Sequence, residues 1–322
     1  MFDVITIGAG VKDVLLLSKQ FRFIESSQFE TGIGECVSLG TKIELDHIVH
    51  STGGGATNAA ATFARLGFRT STICRVGDDA AGRDLIIDLQ REDINTTMIV
   101  RVAGGATGYS TLLTAPSGER TVLLYRGVSG QFSEKDIPWD TCAAKWIYIT
   151  SLGGNLDLTK KLAAWATKCG IQVAWNPGTK EIAKGVVHLR PTLKHVRVLN
   201  INREEAEKFT GEKSLPKMFK AMATIGNFVI ITDGPNGAYI HQNGMTFFSP
   251  GTGVQAKSQT GAGDAFGSGF VAGMMKTNNL KTAFAIAVLN AESVIQQVGA
   301  KAGLLRRWPT TRQIAKVKIK AL

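Results

Sequence analysis

The chain has 322 residues, of which 44% are hydrophobic and 20% charged, as in an ordinary globular protein. No run approaches the roughly 18 consecutive apolar residues that a membrane helix needs, and the N-terminal residues lack the basic region of a secretory signal. The four cysteines are scattered without a CxxC pair, which indicates neither a zinc site nor a disulfide framework. We therefore expect a cytoplasmic protein with no membrane partner.

The formal net charge is +11, and the basic residues are spread along the chain rather than gathered in one arm. The densest basic stretch is residues 306–320, where Ile314, Val317 and Ile319 interleave with lysines. This pattern is typical of an amphipathic segment with a solvated face. A positive field would favour a nucleic acid and an anionic nucleotide substrate equally, so charge alone does not decide between them. We expect no nucleic-acid partner.

The predicted elements alternate between apolar strands rich in Val and Ile and helical patterns. In chain order they are a strand at 4–7, a helix at 58–66, a strand at 71–76, a helix at 80–92, a strand at 146–149, a helix at 158–169, strands at 171–175 and 196–200, a helix at 203–210, a strand at 228–232, and two long helices between 261 and 298. Continuous apolar strands followed by helices predict an α/β fold with a doubly wound, mostly parallel sheet flanked by helices.

Two stretches interrupt this alternation because they carry strands with no helix between them. They are residues 13–50 and residues 108–126, the second around a turn at 115–119. We predict a single domain over residues 1–322 with a small β-sheet lid formed by insertions at about 14–50 and 103–126. Such a lid could cover a ligand site at the carboxyl ends of the main strands. Its exposed strand edges suggest a homodimer through the lid.

The strongest local signal is the segment 259–270, in which small residues open a helix and a carboxylate lies in its first turn. The N–H groups at a helix start are unpaired, and with the helix dipole they form an anion site. Gly261, Ala262 and Gly263 could hold a phosphoryl group there. The dipole favours an ionised Asp264, which could then accept the proton of an attacking hydroxyl.

Other interpretations of this segment exist. Asp264 could be only a capping carboxylate, with the glycines serving close helix packing. A dinucleotide fingerprint is disfavoured because Phe266 stands where a glycine or alanine is needed. A P-loop is excluded more firmly, since the chain contains no Gly-Lys dipeptide.

A second glycine cluster, residues 52–60, leads into a predicted helix. Its three consecutive glycines would let the backbone approach a ligand closely, and Asn58 offers a donor and acceptors for hydroxyl recognition. Taken alone, the cluster could equally be a flexible loop with an Asn cap.

The order of these motifs resembles the ribokinase-like (PfkB) family of carbohydrate and nucleoside kinases over nearly the whole chain. Gly53, Gly54 and Asn58 resemble its glycine-rich substrate motif, and segment 260–266 resembles its signature with anion hole and catalytic aspartate. Residues 202–205 match its NxxE motif, and residues 232–237 resemble its nucleotide loop.

The resemblance implies an ATP-dependent kinase with Mg²⁺, acting on a hydroxyl of a sugar or nucleoside. The residues it assigns are Asp264, Gly261, Ala262 and Gly263 for catalysis, Asp13, Gly53, Gly54 and Asn58 for substrate, Asn202, Thr232, Gly234, Gly237 and Asn290 for the nucleotide, and Glu205 for magnesium. Structural alternatives stay open for several of them. Asp13 could be a turn residue, Asn202 and Glu205 a helix cap with its acid, segment 232–237 a plain hairpin turn, and Asn290 an ordinary buried Asn.

The chain also departs from the family pattern. Ser258 stands where members that bind a monovalent cation commonly have Asp, which makes potassium activation doubtful. Residues 151–155 replace a ribose-holding glutamate, and Gly55 replaces a common lysine, so we do not expect ribokinase specificity. A glycine-lined pocket would accept a nucleoside or a bulkier sugar. The alternative function is a non-catalytic ligand-binding or regulatory protein on the same fold.

Overall fold

A computed structural model describes residues 1–114, 120–224 and 227–322; the turn predicted at 115–119 lies outside these residues. The strands are β1 (Phe2–Ile7), β2 (Val11–Leu17), β3 (Arg22–Glu25), β4 (Ile33–Cys36), β5 (His47–Gly53), β6 (Thr70–Ile73), β7 (Arg75–Gly77), β8 (Val100–Val102), β9 (Gly108–Thr114), β10 (Arg120–Tyr125), β11 (Ala144–Ile149), β12 (Gln172–Trp175), β13 (Val198–Asn202), β14 (Phe228–Thr232), β15 (Ala238–Gln242), β16 (Met245–Ser249) and β17 (Lys320–Ala321).

The helices are α1 (Gly55–Arg65), α2 (Ala80–Arg91), α3 (Leu156–Lys168), α4 (Thr179–Ile182), α5 (Gly185–Leu193), α6 (Arg203–Thr210), α7 (Leu215–Met222), α8 (Ala262–Thr277), α9 (Leu280–Ile295) and α10 (Thr311–Lys316). Across the described ranges, no helix has the length and apolar character needed to cross a membrane.

The main sheet has nine strands in the order β17-β16-β15-β14-β13-β12-β11-β1-β6. The strands from β14 to β6 in this order run parallel, while β15, β16 and β17 extend the sheet antiparallel. This arrangement matches the predicted doubly wound, mostly parallel sheet.

Helices cover both faces of this sheet because alternate residues of each strand point to opposite sides. In β14, Val229 and Ile231 belong to the core cluster that contains residues of α3, α5, α6 and α7. Phe228 and Ile230 belong to the opposite cluster, which contains residues of α1, α8 and α9. Both faces are therefore buried, which explains why these strands appear in the sequence as continuous apolar runs.

Several predicted boundaries are shifted by one or two residues, and two differ in a way that affects the site. The strand predicted at 71–76 is two strands, since β6 ends at Ile73 and β7 pairs with β8 in a separate small sheet. Helix α1 begins at Gly55 and not at Asn58, because Gly54 has the positive φ of 97° that ends the extended backbone before the helix. Asn58 is consequently the fourth residue of α1 and lies at the end of its first turn.

The small sheet has the order β10-β9-β2-β5, and β3 and β4 form a separate two-stranded sheet. We call the four strands the lid. The lid sheet begins at Val11, a few residues before the insertion predicted at 14, because β2 pairs with β5 as far as Gly53.

The basic C-terminal segment forms α10 and β17, and β17 pairs with β16 at the edge of the main sheet. Val317 is buried, and Ile314 and Ile319 pack partly buried against the core. The apolar residues of this stretch therefore face inward, as the amphipathic interpretation predicts.

Candidate active site

The candidate site lies at the carboxyl ends of the parallel strands, where α8 begins. Asn202 and Thr232 are direct partners in the register of β13 and β14, so the motifs that contain them end side by side. Asn200, also on β13, contacts Gly263 in the first turn of α8. In open α/β sheets this edge is the usual position of a ligand site.

The first turn of α8 is shaped as an anion cradle. Gly261 adopts a left-handed conformation with φ 81°, and a Cβ there would lie 2.8 Å from the backbone of Ala300. Ala262 donates its N–H to Gln259 and Ala265 donates to Gly261. Within the described chain, the N–H groups of Gly263 and Asp264 are thus left available to a bound anion.

The Asp264 carboxyl is connected to the second glycine cluster. Nδ2 of Asn58 donates to Oδ2 of Asp264 at 2.9 Å, although the two residues are 206 positions apart. Burial raises the pKa of Asp264, and the hydrogen bond from Asn58 opposes that rise. A carboxylate with a raised pKa is a stronger base.

Asp13 lies on the lid strand β2 and is 7% exposed. Burial raises its pKa, the hydrogen bond with Ser110 on β9 and the charge of Lys301 lower it, and the charge of Asp264 raises it further. A Cβ on Gly53 would lie 1.9 Å from Oδ2 of Asp13, so the glycine leaves room for this carboxylate. The structure thus brings Asp13 and Asp264 into one electrostatic neighbourhood, and Asp13 is not a turn residue.

Gly54 has a different role from its neighbour. A Cβ on Gly54 would lie 2.4 Å from the carbonyl oxygen of Ala9, and φ is 97°. It therefore allows the chain to turn tightly from β5 into α1 beside the end of β1. This turn is what directs Asn58 toward Asp264.

Asn202 and Glu205 form a reciprocal capping box at the start of α6. Oδ1 of Asn202 accepts from the N–H of Glu205 at 2.8 Å, and Oε2 of Glu205 accepts from the N–H of Asn202 at 2.9 Å. The pair therefore does form a helix cap with its acid, which was the structural alternative to a role in nucleotide and magnesium binding. Burial raises the pKa of Glu205, the Asn202 N–H lowers it, and the charge of Asp264 raises it, which puts Glu205 on the Asp264 side of the site.

The carboxylates of this site suit a hydrated magnesium ion but do not enclose one. No cluster of three or more His, Cys, Asp or Glu side chains in the described residues could hold a metal ion. Magnesium commonly binds through one or two carboxylates, several waters and substrate phosphates. Glu205 fits this mode, since its Oε2 is fixed by the cap and a carboxylate has further lone pairs.

Residues 232–237 connect β14 to the antiparallel β15 through a 3₁₀ turn at Gly234–Asn236. Gly237 has φ 102°, and a Cβ there would lie 2.2 Å from the carbonyl oxygen of Ser249. Gly234 has φ 51° and open space around it. The segment is thus a hairpin turn, and it lies beside Asn202 at the carboxyl edge of the sheet.

The prediction that Asn290 contacts the nucleotide disagrees with the structure. Its side chain is 0% exposed, and Nδ2 donates to the carbonyl of Ala265 and to Thr62. Its Oδ1 accepts from the N–H of Leu305 at 3.0 Å. These bonds occupy both amide hydrogens, so Asn290 joins α1, α8 and the segment after α9 as a structural residue.

A family model described as pfkB family carbohydrate kinase matches residues 27–307 of this chain. The chain belongs to the pfkB family. The prediction of a ribokinase-like kinase is thereby confirmed.

Relatives of this pfkB protein include a ribokinase from Haemophilus influenzae, 27% identical over 266 residues that cover 80% of this chain and 85% of the relative. An uncharacterized sugar kinase from Archaeoglobus fulgidus is 27% identical over 247 residues, which cover 76% of this chain and 98% of the relative. The solved nucleoside kinase of Methanocaldococcus jannaschii has a TM-score of 0.76 at 19% identity and covers 98% of this chain and 97% of that one, which shows the shared fold. Together they support a kinase activity in general.

The sequence interpretation of this pfkB protein missed Lys301. The Lys301 residue is 5% exposed; its ammonium donates to Oγ1 of Thr52 at 2.6 Å and pairs with Asp88 at 3.2 Å. Burial lowers its pKa, and the charges of Asp88 and Asp13 raise it. The small residues around it, Gly299 to Gly303, indicate a close approach of backbones and could have drawn attention to this segment.

Glu181 was also missed. It is 0% exposed, and Oε1 accepts from Ser151 and from the N–H groups of Leu152 and Gly154. It fixes the run 151–155, in which a Cβ on Gly153 would lie 2.0 Å from the carbonyl oxygen of Gly130. Gly153 thus serves the close packing of two loops. The sequence interpretation instead supposed that the glycines of this run widen the acceptor pocket.

Proposed function

We propose that this pfkB protein transfers the γ-phosphoryl group of ATP to a hydroxyl of a sugar or nucleoside. Asp264 is the general base, and the N–H groups of Gly263 and Asp264 form the anion hole. Gly261 shapes the turn, while the N–H of Ala262, predicted to bind the phosphoryl group, is donated to Gln259. Asp13, Gly53, Gly54 and Asn58 line the acceptor side. Asn202, Thr232, Gly234 and Gly237 line the nucleotide side.

The observation that carries the proposal is the hydrogen bond between Asn58 and Asp264. It connects the helix that follows the acceptor motif with the turn that offers N–H groups to a phosphate. An acceptor hydroxyl bound near Asn58 would thus meet the base and the γ-phosphoryl group together. In phosphoryl transfer, such positioning and charge stabilisation provide nearly all the catalysis.

In the reaction, the acceptor oxygen attacks the γ-phosphorus, its proton passes to Asp264, and the bond to the β-phosphate oxygen breaks to release ADP. Asp13 accepts a hydrogen bond from a second hydroxyl and orients the acceptor. The N–H groups of Gly263 and Asp264 stabilise the negative charge on the transferred group. Magnesium, held by Glu205 through water and by the nucleotide phosphates, would neutralise phosphate charge.

The polar and apolar residues of the lid face support a sugar or nucleoside as the acceptor. Asp13 and Ser110 offer polar contacts for hydroxyls, while the lid face that carries them continues into apolar residues such as Leu15 and Leu112. Ser258 accepts from the N–H of Thr260 and is 6% exposed, and it has no carboxylate for a cation. We expect turnover that does not depend on potassium.

A coupled assay of ADP formation tests the proposal with ATP and magnesium across sugars, sugar phosphates, sugar acids and nucleosides. We expect turnover with at least one sugar or nucleoside and none without magnesium. The non-catalytic alternative predicts binding of such a ligand, measured by calorimetry, with no ADP formed. That outcome would overturn the proposal.

The lid supports a further partner proposal, a second copy of this chain. On the outer strand β10, Val122, Leu124 and Tyr125 are exposed by 46%, 48% and 59%. Exposed strand edges with apolar side chains favour pairing with another sheet. Light scattering should give twice the mass of 34.5 kDa, and Leu124→Lys should return the monomer. A monomeric wild type at assay concentration rejects the dimer.

A further inference from the structure

A polar cluster lies directly beneath the first turn of α8, and the reaction described above does not use it. Asn200 on β13 is 3% exposed and Tyr148 on β11 is 1% exposed. Both side chains point to the sheet face covered by α8, where the surrounding core is apolar. Buried polar groups cost folding free energy unless they are hydrogen-bonded, so this pair calls for a physical reason.

The cluster reaches α8 at two glycines. Nδ2 of Asn200 donates to the carbonyl oxygen of Gly263 at 3.0 Å. One helical turn further, a Cβ on Gly267 would lie 2.3 Å from Oη of Tyr148 and 2.6 Å from Nδ2 of Asn200. Gly267 therefore has no side chain because these two polar groups occupy its place.

The bond to Gly263 constrains the anion hole through the peptide plane. The carbonyl of Gly263 and the N–H of Asp264 belong to one planar trans peptide and point in opposite directions. A donor that holds the carbonyl from below consequently fixes the direction of the Asp264 N–H above it. That N–H is one of the two that are available to a bound phosphoryl group.

Tyr148 lies where it can orient the Asn200 amide. Its Oη and the Oδ1 of Asn200 both lack a hydrogen-bond partner in the described part of the chain. Burial and the charge of Asp264 raise the pKa of Tyr148, so its hydroxyl keeps its proton. At Gly267 the place of a side chain is taken by Oη of Tyr148 together with Nδ2 of Asn200, and not by Oδ1. A hydroxyl oxygen on the Nδ2 side of the amide favours the orientation in which Nδ2 faces Gly263.

We propose that Asn200 is a positioning residue for phosphoryl transfer, with Tyr148 orienting its amide. Asn200 holds the peptide between Gly263 and Asp264 in the orientation that stabilises the transferred group. This inference rests on the proposed function and goes beyond it, since neither residue contacts substrate.

Steady-state kinetics test the proposal with Asn200→Leu, which keeps the shape and removes the donor. We expect kcat to fall about 10-fold with the KM of the acceptor within about 2-fold, because the lost interaction matters only in the transition state. The matched control is Asn227→Leu. Asn227 is 4% exposed, accepts from the N–H of Thr224 at 3.0 Å and lies directly before β14, at the opposite end of the sheet.

Both variants should lose similar thermal stability, while only Asn200→Leu should lose kcat. A wild-type kcat in Asn200→Leu, or an equal loss in Asn227→Leu, overturns the proposal. Tyr148→Phe is the milder second variant, in case Asn200→Leu does not fold. It should fold and lose kcat about 3-fold, and an unchanged kcat removes Tyr148 from the proposal.

An NMR measurement separates this inference from the proposed function. In ¹⁵N-labelled protein without substrate, the amide resonances of Gly263 and Asp264 should shift in Asn200→Leu and stay in place in Asn227→Leu. Unshifted resonances in Asn200→Leu overturn the positioning role whatever the turnover. If the resonances shift in Asn200→Leu but the wild type forms no ADP, the kinase proposal is rejected. The contact between Asn200 and Gly263 would then still be supported.

Discussion

The main sheet and the lid both contribute to the candidate site, but they are built differently. β14 in the main sheet is buried on both faces by helices. On β10 in the lid, the adjacent residues Leu123 and Leu124 are exposed by 56% and 48%, so neither face of that strand is covered. A strand buried between helices can hold a catalytic group rigidly, whereas an open sheet gains cover by moving or by binding. We therefore expect chemistry to depend on the main body and acceptor affinity to depend on the lid.

The largest effect is expected for Asp264→Asn in the main body. The variant keeps the shape and the Asn58 contact but loses the base, so kcat should fall about 100-fold or more. Because the folded protein raises the pKa of Asp264, ionising it costs folding free energy near neutral pH, and the neutral Asn should not lower stability. Coupled kinetics and thermal melting measure both quantities. Near wild-type turnover would remove Asp264 from the mechanism.

Asp13→Asn tests the lid side of the comparison. Loss of a charge-assisted hydrogen bond, worth about 1.5–3 kcal/mol, should raise the KM of the acceptor by about 10-fold or more and change kcat less. The control is Asp84→Asn, whose carboxylate pairs at 2.9 Å with Lys12, the neighbour of Asp13 on β2. A fall in kcat as large as that of Asp264→Asn would mean that lid and body do not have separate roles.

The pH dependence of kcat/KM tests both regions at once. Asp264 and Asp13 act as carboxylates, and the pKa of each is raised above 3.8 in the folded protein. Activity should therefore fall on acidification about 10-fold per pH unit per group, beginning above pH 3.8. In Asp13→Asn one of the two acid limbs should disappear. A profile that stays flat down to pH 3.8 would contradict the raised pKa values.

The smallest effect is expected for Lys301→Met, at the junction of lid and body. The Lys301 side chain is 7% exposed and that of Asp88 is 39%, so Asp88 can be resolvated when the pair is broken. We expect a loss of about 1–2 kcal/mol in the free energy of unfolding, measured in urea. Lys161→Met breaks a surface pair with Glu134 and should cost less than about 0.5 kcal/mol. Equal losses would mean that Lys301 is not an anchor.

Elements with a strong period were predictable from the sequence. The helix predicted at 203–210 matches α6 at both ends, and the two long helices predicted after residue 261 are α8 and α9. The separation of β7 from β6 was not predictable, since a continuous apolar run does not show which sheet its second half joins. The helices α4, α5 and α7 were not predicted. α4 has only four residues and α5 contains Pro191, whereas the buried Met218, Phe219 and Met222 of α7 do have a helical spacing that was overlooked.

The sequence by itself determined the kinase class of this protein. Its motifs keep their order along the chain, and the family assignment follows from that order. Only the tertiary structure decided how single residues are used, because contacts between distant segments leave no local pattern. Asn58 meets Asp264 across 206 positions, Asn290 is taken into packing between helices, and Lys301 is buried against the lid. Each of these depends on which backbones the fold brings together, which no spacing within one segment reveals.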